Sequence, residues 1–246
     1  MNPLHRTTRH PAVRRRLVAA AAVTGLLLAG TSCSVVDDLK GSEPVAAKPT
    51  AAAEVMVDSQ FTRDGTYQSH IDYKGVDFVY NMYPTKATPR TNEWYPLGTK
   101  YFTFTFLAYD LDQDLRAPFA QKRKVYLGDI EVTSSTTLAT GAPGNQQPYA
   151  LDAKARDVTF DPEPVTTPRG MLITSPKGAF ELRNQAIGEM SLDTRGLTLN
   201  FKATVFVQDE AGGRTYTRRT IKESVPIAIF ASDQPTSAAS IAIDAG

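Results

Sequence analysis

The stretch KYFTFTFLAYDL alternates side chain by side chain: Phe102, Phe104 and Phe106 share one face, and Thr103, Thr105, Leu107 and Tyr109 the other. A period of two belongs to an extended strand, whose successive side chains point to opposite sides of a sheet. Three phenylalanines on one side predict a sheet with one face against a core and the other partly exposed. No helical stripe of ten or more residues competes with this pattern; GAFELRNQAIGEM comes nearest and is interrupted at Gly188. Every Phe, Tyr and Trp lies between Phe61 and Phe230, which assigns the core to residues 61–230.

The same period recurs in LTLNFKATVFVQDE, where Leu197, Leu199, Phe201, Ala203, Val205 and Val207 face one way. Gly212 and Gly213 follow, then RTYTRRTIKESVPIAIF, and together these predict an antiparallel hairpin with a glycine-containing loop. Pro226 lacks a ladder donor, so its segment belongs at a sheet edge or beside a bulge. In KVYLGDIEVTSS the apolar phase changes from Val125 and Leu127 to Ile130 and Val132, which a bulge at Gly128 reconciles. Shorter strands are expected at YQSHIDYK, VDFVYNMY, DVTFDPE and GMLITSP, with long loops at TLATGAPGNQQPYALDAKARD and YPTKATPRTNEWYPLGT. The fold expected is mainly β, an antiparallel two-layer sandwich, with an immunoglobulin-like arrangement as one architectural option. That option has no Cys…Trp…Cys pattern behind it.

Outside residues 61–230 the chain changes character. The first 32 residues carry five arginines and no carboxylate, and LVAAAAVTGLLLAG is an apolar run of 14 residues from Leu17 to Gly30. That length is short of the ~20 residues a permanent span requires but suits the apolar segment of an export signal. The single cysteine, Cys33, comes directly after Thr31 and Ser32. In these residues the N-terminus resembles a bacterial lipoprotein signal peptide, with Gly30 standing where such signals usually carry an aliphatic residue. The resemblance covers residues 1–33 and says nothing about the family of the body. It implies removal of residues 1–32 and acylation of the Cys33 sulfur with diacylglycerol, the chain then sitting at the outer face of the cytoplasmic membrane. Ordinary signal-peptide cleavage and an uncleaved anchor are the alternatives. RRRLV at Arg14–Val18 is similar to the paired-arginine signal for folded cargo, and three arginines equally supply the positive end of a general signal.

Residues 33–60 hold no aromatic residue and read as the lipidated cysteine and a tether, with a short helical turn expected at TAAAEVM; residues 231–246 read as a tail. Beyond the leader the remaining 22 basic residues face all 26 acidic ones, a body of net charge about −4. Its local QKRK is too short for a nucleic-acid interface, so no nucleic-acid partner is expected. One cysteine excludes an internal disulfide.

Chemistry-bearing motifs are sparse. His70 is the only histidine beyond the leader; Ser69 beside it points to the other face of a strand, which argues against a triad with Asp72. Asp110, Asp112 and Asp114 in DLDQDL alternate like calcium ligands, but an EF-hand loop counted from Asp110 would need Gly and Glu where Leu115 and Gln121 stand. They are retained as weak metal candidates, and no cofactor is expected. Tyr83, Arg90, Glu93, Trp94 and Tyr95 have an interface composition, with the covering of a sheet end as the alternative. The function expected is that of a non-catalytic, membrane-anchored extracytoplasmic lipoprotein that binds or supports an envelope protein or cell-wall component. A lipid or small-molecule carrier and a carboxylate-based hydrolase are the alternatives, distinguished by an apolar cleft and by two acids facing one cleft.

Overall fold

The computed structural model describes residues 57–85, 91 and 94–232. The expected export leader, Cys33, the helical turn expected at TAAAEVM, Arg90, Glu93 and the expected tail from residue 233 lie outside the described residues. A short helix α1 (Gln60–Asp64) leads into β1 (Tyr67–Tyr73), β2 (Val76–Pro84) and β3 (Lys100–Asp110). Then come β4 (Val125–Leu138), β5 (Leu151–Lys154), the one-turn helix α2 (Ala155–Val158), β6 (Thr166–Thr167) and β7 (Gly170–Leu172). β8 (Phe180–Ile187), β9 (Thr194–Gln208) and β10 (Tyr216–Ala228) complete the fold.

The strands form two antiparallel sheets, one in the order β1-β2-β3-β8 and one in the order β10-β9-β4-β7-β6, with β5 also paired to β4. They pack face to face as a sandwich. Phe102, Phe104 and Phe106 are buried, as the alternation predicts, and Phe104 meets Phe201 of β9 at 4.9 Å between ring centroids. Tyr80 reaches Phe201 at 5.7 Å, while Phe104 and Phe180 contact at 5.5 Å. At roughly 2–3 kcal/mol for each phenylalanine removed from water, this aromatic layer is the main favourable term holding the sheets together without a disulfide.

Local rules account for the register. β1 and β2 join through Lys74 and Gly75, both at positive φ (51° and 72°), as a two-residue hairpin turn requires. The expected hairpin of β9 and β10 is present, with Tyr216 opposite Gln208 and Ala228 opposite Gly196. β10 is an edge strand and runs through Pro226 without a register shift, so the edge rather than a bulge accommodates the proline. The bulge expected at Gly128 is there: the pairing of β4 with β9 shifts between Leu127 and Asp129.

Some expectations are corrected. DVTFDPE is not a strand; Asp157 and Val158 end α2, and two prolines follow closely, at Pro162 and Pro164. The segment read as one long loop from Thr137 contains β5, which pairs Leu151–Lys154 with Val132–Asp129. GAFELRNQAIGEM supplies β8, whose Phe180 and Leu182 alternate into the core before Asn184, at φ 54°, interrupts the register.

Candidate functional site

The residues singled out from sequence do not gather into one site. Trp94 is fully buried, its indole tilted against Phe61 of α1 at 5.1 Å, and so presents no surface to a partner. The loop indole closes a sheet end, and Phe230 fastens it by donating its backbone N–H to the Trp94 carbonyl at 2.9 Å. Tyr95 is half-buried. Tyr83 lies on the outer face of β2 and donates to Glu181 at 3.4 Å; Arg183 holds that carboxylate at 2.6 and 3.0 Å.

The aspartates divide as well. Asp110 and Asp112 both engage Arg123, at 2.5 and 2.7 Å, whereas Asp114 accepts from the Arg116 backbone N–H at 2.7 Å. Arg123 also donates to the carbonyls of Lys74 and Gly75, each at 2.9 Å, and its own N–H binds Asp110 at 2.7 Å. Burial alone would raise the Asp110 pKa, but its hydrogen bonds to Arg123 outweigh that effect and hold it below the ordinary carboxylate range. The cluster is a pin between the β1–β2 turn, the end of β3 and the approach to β4. Glycine suits position 75 because its φ of 72° is a conformation that side-chain-bearing residues rarely adopt, and a Cβ there would also displace the Asp112 carboxylate, 2.5 Å away. Among the described residues no group of three His, Cys, Asp or Glu is placed to hold a metal ion.

His70 pairs with Asp77 at 2.7 Å on the exposed side of the first hairpin. Ser69 points the other way, as strand alternation predicts, and donates to Glu223 of β10 at 2.7 Å. Tyr67 donates to the other oxygen of Glu223 at 2.6 Å, and its pKa is pushed up to about 12, first by burial and then by that carboxylate. Glu223 thus joins two edge strands of opposite sheets. Sequence reading missed this contact because its partners lie 154 and 156 residues away. Tyr80 is buried nearby with its hydroxyl unpartnered, its pKa raised by burial and by the Glu223 charge.

At the end of the sandwich where Val57 enters and Phe230 leaves, a depression of about 860 Å³ lies between α1 and the ends of β2 and β10. Its wall is built by hydroxyls. Ser59 caps α1 by accepting from Thr62 N–H at 3.0 Å and donates to the Pro226 carbonyl at 2.7 Å. Thr62 accepts from the Ala228 N–H at 3.0 Å, and Thr91 donates to the Thr62 carbonyl at 3.0 Å. These groups are committed to one another, leaving the apolar surfaces of Val57, Pro84, Ala228 and Phe230, with Asp58, Arg63 and Asp64 in a salt-bridged group beside them. The arrangement offers contact area and a charged border rather than a nucleophile and base.

No protein-family description matches the chain, and no curated protein is found to be similar to it.

Proposed function

We propose that this chain is a non-catalytic extracytoplasmic lipoprotein, anchored through acyl chains on Cys33, whose β-sandwich binds or supports a cell-envelope protein or cell-wall component. The observation that carries this reading is the filled space between the sheets. Phe104, Phe180, Tyr80 and Phe201 occupy the layer in which a carrier of this fold would hold its ligand. The depression lies instead at the end of the sandwich, where Val57 and Asp58 help to line it. Acylation by more than one chain gives durable attachment, and confinement at a membrane raises the effective concentration of a neighbouring partner. The immunoglobulin-like arrangement stays part of the proposal by architecture alone and carries no functional weight.

The volume of the depression favours one second reading, a small-molecule binder, because ligand pockets commonly span ~300–1,000 Å³. Co-purification from native membranes separates the two. Cys33→Ala is expected to release the chain into the soluble fraction with the same partner attached. Asp58→Lys with Asp64→Lys is expected to keep the chain at the membrane and lose that partner. Retention of the same partner by the double charge reversal would count against the depression as the contact surface.

A further inference from the structure

A second concavity, of about 170 Å³, lies on the outer face of the six-stranded sheet, far in sequence from α1. Two glycines shape it. At the Gly128 bulge, a side chain would press on the Arg169 carbonyl and the Phe206 ring, each 3.3 Å from a Cβ placed there. Gly170, at φ 129°, approaches β4 so closely that its Cβ would fall 2.0 Å from the Leu127 carbonyl oxygen. Bulges commonly redirect side chains at binding sites, and here the bulge leaves one wall of the hollow to Phe206.

Three cations border this hollow: Lys154, Arg156 and Arg169. They face one carboxylate, Asp129, which is also the register partner of Lys154 across β4 and β5. Arg156 makes a 3.5 Å contact with Asp157, whereas among the described residues no carboxylate forms an ion pair with Lys154 or Arg169. Arg169 stacks on the Tyr216 ring instead, its guanidinium carbon 4.3 Å from the centroid, a contact that orients the fork and leaves its edge N–H groups available. Like charges drawn together around a concavity repel, and an anion in the hollow converts that repulsion into charge-assisted hydrogen bonds.

We propose that this hollow binds a phosphate group carried on a small polyol, with Lys154, Arg156 and Arg169 holding the phosphate and Phe206 covering a carbon face of the carrier. Two guanidinium forks and an ammonium match an oxyanion with several acceptor oxygens, and the aromatic wall selects against a bare ion. The site is independent of the depression beside α1 and of Cys33.

Isothermal titration of the full chain with glycerol phosphate tests it. Saturable binding is expected, weakened at least roughly tenfold by Lys154→Gln and by Arg169→Gln, since a hydrogen bond to a charged group contributes ~1.5–3 kcal/mol. Lys222→Gln, on β10 of the same sheet, should leave affinity unchanged, and unchanged thermal midpoints establish that the variants fold. Vesicles of phosphatidylglycerol, set against phosphatidylcholine, then distinguish the source. Binding to them with the same sensitivity to Lys154 and Arg169 assigns a lipid headgroup, and binding to glycerol phosphate alone assigns a free or polymer-borne phosphate. No saturable binding to either probe, or equal losses in all three variants, would overturn the proposal.

Discussion

Lys100 begins the core-facing row of β3 and is fully enclosed, its Nζ donating to the Gly98 carbonyl at 2.7 Å. Burial lowers its pKa from 10.5 to about 8, with Glu189 opposing that shift. Between those values the unfolded chain binds a proton that the folded chain does not, so this group makes stability rise with pH from about 8 to about 10.5. Below that window both states are protonated and the burial cost is constant. Denaturant unfolding of the wild type and Lys100→Met at pH 7 and pH 10 should show the wild type gaining on the variant by an amount on the order of 3 kcal/mol at most. A difference independent of pH would contradict this. Asp110 at the other end of the row gives the same sign of pH dependence in the acid range, but here the charged form is the favoured one: its lowered pKa contributes stability above the ordinary carboxylate range that is lost as pH falls through the folded value. Arg123→Met strands that carboxylate, which is 3% exposed, and should cost about 3–5 kcal/mol in urea unfolding while moving acid unfolding to higher pH. Tyr80→Phe removes only an unpartnered hydroxyl, and its unfolding midpoint should stay within error of the wild type or rise.

At the scale of elements, α1 is held to β10 through Ser59, which serves both as helix cap and as donor to Pro226. Ser59→Ala should cost about 1 kcal/mol or somewhat more, measured by thermal unfolding, since both contacts are lost together. The strands were legible in the sequence wherever alternation was long. The Phe102, Phe104 and Phe106 face, the β9–β10 hairpin and the Gly128 bulge follow from phase and glycine position alone. The short β5 was not legible: it has four residues, a length at which pairing to β4 rather than local pattern decides the conformation, whereas the three-residue β7 lies within the strand expected at GMLITSP. Trp94 left two readings open, an interface or the cover of a sheet end, and its complete burial agrees with the second. Its neighbours read as an exposed loop, but the surface it covers is supplied by Phe61, 33 residues earlier, in a helix too short to show a stripe. The hollow at Gly128 was half visible, since sequence placed the bulge but could not bring Lys154 and Arg169 to it.

For the whole molecule, two antiparallel sheets pack face to face through aromatic side chains. Arg123 fixes one end of the sandwich and the Phe61–Trp94 pair closes the other. The functional reading joins this body to a membrane through Cys33, and intact-mass measurement of the chain isolated from its native host tests that link most directly. The account predicts loss of residues 1–32 and an N-terminal cysteine carrying diacylglycerol, with or without an amide-linked third chain. An unmodified Cys33 thiol, or a chain that still begins at Met1, would contradict it.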